Sequence, residues 1–264
     1  MYFVSLAFLA LCLLVGASQL PFQLQPEPEL PSAALVSGPK FQPLRPPAFP
    51  LAVRSPYLST WLSTHIKQSL NGQWPIFWTG TELGWTGLLQ VDNTTYEWLG
   101  YPSSQLPNIQ SVDTISVEYT ATKSVFTVHA GKQIGLNVTF LTPITLHDLR
   151  RQGIPASYIS LSFWSLDKKE HDVKVYGDVD GHWVSGDANA NIQWSMSINA
   201  RKSPDEKSVI SHIIEKQNDI RFGEWSDHAE WGQLYWSTAM VFSFTFGFVS
   251  HVLGSIGYVS GWSI

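Results

Sequence analysis

Residues 223–232 read GEWSDHAEWG and place Glu224, Asp227, His228 and Glu230 within seven positions. Carboxylates beside an imidazole are the side chains of general acid and base catalysis, and of divalent-metal ligation, when the backbone turns them toward one point. Nothing in the spacing demands that convergence. A solvated loop anchored by Trp225 and Trp231 is therefore the first expectation, with acid/base chemistry the weaker candidate. A second run, YGDVDGHW over 176–183, carries Asp178, Asp180 and Gly181 like the opening of a calcium loop. Such a loop needs further oxygen ligands and a distal Glu at fixed offsets, and Trp183 and Val184 stand in those next positions. A turn after a strand accounts for the same residues.

Other chemistry is thinly represented. His65, His129 and His212 have no partner that spacing identifies and read as surface or satisfied histidines. The nucleophile elbow, the H-E-x-x-H motif and a phosphate-binding glycine loop are all absent. The single cysteine, Cys12, falls in an N-terminal apolar run, so the chain beyond it has no thiol nucleophile, disulfide or Cys-based zinc site. No metal and no cofactor are expected. Trp74, Trp78, Trp85 and Trp98 crowd one short stretch. Exposed indoles stack on sugar faces, so Trp78 and Trp85 are sugar-stacking candidates for a non-catalytic carbohydrate-binding module; packing in a core is the commoner use.

The elements that must position these residues are strands. In SVDTISVEYTATKSVFTVHAGKQIGLNVTFLTP, from Ser111, apolar residues alternate at Ile115, Val117, Tyr119, then Phe126, Val128, then Ile134, Leu136, Val138, Phe140. That period of two sets one face of each strand on a core and the other toward water. Thr120–Ser124 and Ala130–Gln133 are connections of hairpin length, with Gly131 able to take a positive φ. Further strands are predicted over 158–164, 173–176, 192–198 and 208–214, with turns at Asp167-Lys168-Lys169, Asp180-Gly181 and Ser203-Pro204-Asp205. One helical turn is predicted within His147–Gln152. Ser59 is expected to cap a short helical or turn segment ahead of Leu62 and Ile66. The sum is an all-β, antiparallel β-sandwich-like domain.

Around it the chain divides into a signal peptide (1–18), a Pro-rich extended segment (19–50), a Trp-rich region packed on the sandwich (51–110), the sandwich (111–238) and an uncharged tail (239–264). The apolar run Val4–Val15, followed by Gly16, Ala17 and Ser18, has the form of a secretory signal and is shorter than a membrane span of ~20 residues. Nine of sixteen prolines lie in 21–50, which favours an extended backbone there. Asn93-Thr94-Thr95 and Asn137-Val138-Thr139 are N-glycosylation sequons, so Asn93 and Asn137 are expected to carry glycans on an extracellular protein, in the medium or at the cell wall. A net charge of −5 without a Lys/Arg cluster gives no footprint for phosphate backbones, so no nucleic-acid partner is expected.

PPAFPLAVRSPYLSTWL (46–62) and WPIFWTGTELGWTGLLQVDNTTYEWLG (74–100) resemble the N-terminal region of the fungal secreted glutaminase A family, and the resemblance covers roughly residues 46–238. It implies a β-sandwich-like domain that a helical-hairpin domain follows in the family, and hydrolysis of L-glutamine to L-glutamate and ammonia without a nucleotide cofactor. No catalytic residue of the family matches a position here, so none is carried over. The resemblance stops where AMVFSFTFGFVSHVLGSIGYVSGWSI begins. That tail has no Lys, Arg, Asp or Glu, is interrupted by Ser, Gly and His, and makes a poor membrane span. Val241–Phe248 alternates like a strand, yet the tail reads as sequence foreign to an incomplete sandwich whose own glutaminase activity is missing.

Overall fold

The β-rich part of the chain is built around two facing layers whose inner surfaces follow the alternation of the sequence. The structure, a computed structural model, describes residues 46–65, 67–200, 208–239 and the backbone of 256–263. Its strands are β1 (Ala48–Ser55), β2 (Leu58–Ser63), β3 (Ile76–Phe77), β4 (Trp85–Val91), β5 (Thr94–Leu99), β6 (Gln110–Ser111), β7 (Asp113–Tyr119), β8 (Lys123–Ala130) and β9 (Ile134–Leu141). After the one-turn helix α1 (Leu149–Gln152) come β10 (Tyr158–Ser165), β11 (Asp172–Val179), β12 (Ile192–Asn199), β13 (Val209–Lys216), β14 (Glu224–Trp225), β15 (His228–Ala229), β16 (Gln233–Ala239) and β17 (Ile256–Ser263).

One layer is the antiparallel meander β10-β9-β8-β7 and the other the sheet β17-β11-β4-β5-β6. Phe126, Val128, Ile134, Leu136, Val138 and Phe140 all point into the space between them, as their period of two requires. Across the gap Leu89, Val91, Trp98, Val173 and Val175 complete the cluster. Phe140 of β9 meets Trp85 of β4 edge to face at 5.4 Å, and Phe49 meets Phe126 at 5.5 Å. Each such ring contributes about 1.5–3 kcal/mol by leaving water. The β8–β9 hairpin closes through Gly131 at φ 58°, the left-handed geometry that its position requires. A third sheet, β12-β13-β16, adds Ile214 and Trp236 to the same core.

Several expectations change. Ser59 begins no helix: it lies in β2, which pairs with β1 across a tight connection at Pro56-Tyr57, because Phe49, Leu51 and Leu62 find a core to fill. β1 starts at Ala48, so the globular part begins inside the proline-rich segment; its prolines are tolerated near the start of an edge strand. Residues 51–110 are not laid on the sandwich but supply two strands of it, since β4 is hydrogen-bonded to β11 over Trp85–Val91. Ile115 is exposed, because a bulge between Thr114 and Ser116 breaks the alternation of edge strand β7. The turn at Asp180-Gly181 is a 3-10 turn, Gly181–Trp183.

The tail takes part in the fold. β16 runs to Ala239, paired with Val209, and β17 lies antiparallel along β11 from Ile256↔Val179 to Ser263↔Asp172. Among the described residues no helix is long and apolar enough to cross a membrane. The signal-like run, the Pro-rich segment up to Arg45, the turn at 203–205 and the alternation at 241–248 lie outside the described residues. On edge strand β12, Trp194, Met196 and Ile198 stand opposite Ile214, His212 and Ile210, which are buried, yet remain exposed themselves.

Two connections are locked together electrostatically. His171, buried ahead of β11, faces Asp92 in the β4–β5 turn through Nδ1 at 2.9 Å and Asp167 in the β10–β11 turn through Nε2 at 2.9 Å. With a carboxylate on each ring nitrogen, the imidazolium is favoured and its pKa is raised, through Asp167 first and Asp92 second. Hydrogen bonding to His171 lowers both carboxyls, Asp167 to about 2. Raising His171 stabilises the fold below the unfolded imidazole pKa, near 6.5, and that contribution is lost as pH climbs through the folded value. The lowered carboxyls stabilise above about 3.8, and that part is lost as pH falls through their folded values. The cost of His171→Gln should accordingly be largest near pH 5 and shrink at alkaline pH; denaturant unfolding of both proteins across that range measures it.

Candidate functional site

Two places collect polar chemistry, and the first is the hairpin that the sequence singled out. β14 and β15 are joined by Ser226 and Asp227, at φ 52° and 62°, the pair of positive angles that a two-residue hairpin turn of the primed kind needs. The alternation across this hairpin sends its four candidates to different surroundings. Glu224 is exposed and accepts a hydrogen bond from the Tyr57 hydroxyl. Asp227 is exposed at the tip. His228 is buried, its ring 4.0 Å from that of Phe77, with Nε2 lacking a hydrogen-bond partner, and burial lowers its pKa, favouring the neutral imidazole.

Glu230 is 3 % exposed and fully engaged. Its carboxylate accepts from the Ser185 hydroxyl at 2.9 Å, from the Gly186 amide at 3.0 Å and from the Lys216 ammonium. Burial alone would raise its pKa; these donors hold it below the ordinary carboxylate value. So the carboxylates flanking His228 do not converge on an open space. The group is a rivet joining β13, the 185–186 loop and the hairpin.

Around the hairpin lies an exposed aromatic surface. Phe222 is 87 % exposed and holds φ at 59°, and its ring meets Trp231 at 5.5 Å, while Tyr57 meets Trp231 at 6.5 Å. Trp225 is exposed as well. Of the sugar-stacking candidates, Trp78 is 53 % exposed, whereas Trp85 is 4 % exposed and surrounded edge-on by Phe140, Trp183 and Trp236. The two therefore form no common platform. Asn93 is exposed in the β4–β5 turn, and Asn137, on the outer face of β9, accepts a hydrogen bond from Thr127 at 2.9 Å.

The second place is a cleft of about 910 Å³ on the outer face of β4 and β11. Its floor is the outward set of alternating positions, Thr86 and Leu88 from β4 with Tyr176 and Asp178 from β11. One wall carries Trp74 and the segment from Pro102 to Leu106, the other Glu82, Asp180 and His182. Buried Glu97 of β5 positions the first wall by accepting from the Gly72 amide at 2.7 Å and the Ser103 amide at 2.8 Å. Asp180 can lie close over β4 because residue 84 is glycine; a Cβ there would come within 2.3 Å of its carboxylate.

Burial drives the Asp178 carboxyl upward, the Asp180 charge adds to the rise, and hydrogen bonds from Tyr176, at 2.7 Å, and Thr86 oppose it. The Tyr176 phenol is raised by burial and by Asp178. His182 bonds through Nδ1 to Asp180 at 2.8 Å, and that contact raises its pKa against the opposing effect of burial. Sequence spacing missed this cleft, since its lining comes from four separated stretches between Trp74 and His182. The one legible signal was a pair of acidic residues at alternating positions, Asp178 and Asp180, closing a strand otherwise rich in valine. Among the described residues no group of three or more His, Cys, Asp or Glu is placed to hold a metal ion.

Removing the cation of a buried pair leaves an uncompensated charge, at a typical cost of about 3–5 kcal/mol. Lys216→Ala should show a loss of that order in chemical denaturation, whereas replacing Lys216 and Glu230 together with apolar residues should cost markedly less.

The family described as a domain of unknown function, DUF5127, matches residues 122–255, and a second such domain, DUF4964, matches residues 33–111. The first match therefore extends past residue 239 into the uncharged tail and ends at residue 255, ahead of β17. Over 202 residues the chain is 45 % identical to Glutaminase A of Aspergillus oryzae, an alignment covering 75 % of this chain and 28 % of that protein. Over 204 residues it is 32 % identical to a probable glutaminase of Arthroderma benhamiae, covering 73 % and 23 %. The chain thus spans about a quarter of the length of these curated relatives, in their N-terminal part. No solved structure matches it. With just over half of its residues inside the DUF5127 match, the chain belongs to the DUF5127 family and resembles the N-terminal region of fungal Glutaminase A.

Proposed function

We propose that this chain is the secreted β-module of a glutaminase-type protein and does not hydrolyse glutamine by itself. On this reading the longer protein pairs the module with a helical-hairpin region, and glutamine hydrolysis, without a cofactor, belongs to that larger assembly. The signal-like N-terminus directs export, and Asn93 and Asn137 carry N-glycans on an extracellular product. Asn93 suits this as an exposed turn residue, and Asn137 as an outward residue of β9.

The observation that carries the reading is how the strongest acid/base candidates are used. Amide hydrolysis needs a base or nucleophile that substrate can reach. In the hairpin the well-positioned carboxylate, Glu230, has its lone pairs committed to Ser185, Gly186 and Lys216, and His228 is buried against Phe77. Of the exposed pair, Glu224 accepts from the Tyr57 hydroxyl and Asp227 stands at the hairpin tip.

Secreted from a eukaryotic host, the chain should enter the medium with two glycans, one lost in Asn93→Gln and one in Asn137→Gln, as read by mass. Ammonia release from glutamine by the purified product should not exceed that of buffer. Turnover at ordinary enzyme rates, about 1–10³ per second, would overturn the reading.

A further inference from the structure

We propose that the cleft between Trp74 and Asp178 binds a small organic molecule through an ammonium group. The inference goes beyond the reading above and does not depend on it. The cavity is of small-molecule size and mixes a few convergent polar groups with apolar walls, the usual composition of a ligand site.

Its charge is one-sided. The segment before β4 contributes Glu82, β11 contributes Asp178 with Tyr176, and the 3-10 turn contributes Asp180 and His182. β4 supplies Thr86 and Leu88, the opposite wall Trp74, Pro102, Gln105 and Leu106, and among the described residues no Lys or Arg lines the space. His182 is spent on Asp180, to which its Nδ1 is bonded. Among the described residues neither Glu82 nor Asp178 forms a salt bridge, although Glu82 lies near enough to His182 to favour its imidazolium. Asp178 is 9 % exposed, so its carboxyl bears a desolvation cost that the hydrogen bonds from Tyr176 and Thr86 oppose without cancelling, and a countercharge would relieve the remainder. An ammonium group entering the cleft supplies that countercharge and hydrogen-bond donors to both carboxyls.

The same lining favours an organic cation over a metal ion. Asp178 already accepts from Tyr176, among the described residues no three acidic or imidazole ligands are placed to hold a metal ion, and the opposite wall is indole and aliphatic apart from Gln105. An indole face attracts an ammonium group, and Leu88, Pro102 and Leu106 offer contact for the carbon chain attached to it. A bare divalent ion would gain nothing from that wall.

The test is a 1H–15N NMR titration of the labelled full chain with n-butylammonium chloride, set against sodium chloride at matched ionic strength and n-butanol. Saturable shifts should appear at the Trp74 indole N–H and at the amides of Glu82, Asp180 and His182, with butylammonium only. Affinity should fall about tenfold in Asp178→Asn and in Glu82→Gln; the second, at the cleft rim, serves if the first fails to fold. Absence of saturable shifts, equal shifts with sodium chloride or butanol, or undiminished affinity in the folded variants would overturn the proposal. Saturable shifts with a neutral sugar such as glucose and none with butylammonium would overturn it too, assigning the cleft to hydroxyl ligands.

Discussion

The indole of Trp85 is the contact on which the rest of this fold turns. It opens β4 and lies edge-on to three other rings: Phe140 at 5.4 Å from the facing sheet, Trp183 at 5.1 Å from the 3-10 turn after β11, and Trp236 at 6.0 Å from the third sheet. Edge-to-face geometry suits aromatic quadrupoles, so four rings pack without stacking and bury a large apolar area at one point. Because side chains alternate along a strand, seating Trp85 inward turns Thr86 and Leu88 outward. The core contact and the cleft floor are therefore two sides of the same register. Trp183 adds a second tie, donating its indole N–H to the Gly84 carbonyl at 3.0 Å, which keeps the 3-10 turn beside β4 and Asp180 at the cleft rim.

Buried carboxylates fix what the rings leave free. Glu97 is fully buried and satisfied by two backbone amides, and in being satisfied it holds the 72–74 and 102–106 segments that form one cleft wall. Glu230 does the same for the 224–230 hairpin through Ser185, Gly186 and Lys216. A buried charge is tolerated only when its lone pairs are filled, so each of these residues dictates the position of chain remote in sequence. Asp178 differs from both. It is nearly as deeply placed, but its neighbours include another carboxylate and its outlook is the open cleft. That contrast separates a structural carboxylate from one placed to meet something else.

Much of the fold was legible because it is periodic. Phe126 and Val128, then Ile134 to Phe140, alternate on either side of the hairpin, and the structure buries each of the apolar side chains in that pattern. The strands near 158, 173, 192 and 209 and the turn of helix at 149 follow from the same local signals. The misreadings share one cause. Ser59 is an ordinary capping residue in isolation, and only the core waiting for Leu62 makes its segment a strand; Ile115 has the right period but falls beside a bulge on an edge. The uncharged tail had no local feature to tie it to the sandwich, and its place beside β11 is a long-range backbone pairing. At the candidate hairpin the residue types were legible but their environments were not, since adjacent positions point to opposite sides of a two-stranded turn.

By itself, the amino-acid sequence determined the strand content, the inward faces of β8 and β9, and the likeness of the chain to the N-terminal region of glutaminase A. These depend on local periodicity and on the order of residues, which need no partner to be read. Tertiary structure alone decided that Trp85 is core and Trp78 is surface, that Glu230 is neutralised by Lys216, and that Glu82, Asp178 and Trp74 share one cavity. The physical reason is that burial, charge pairing and concavity are properties of segments brought together across tens of residues. A carboxylate has the same formula in a rivet and in a binding site, and only its neighbours make it one or the other.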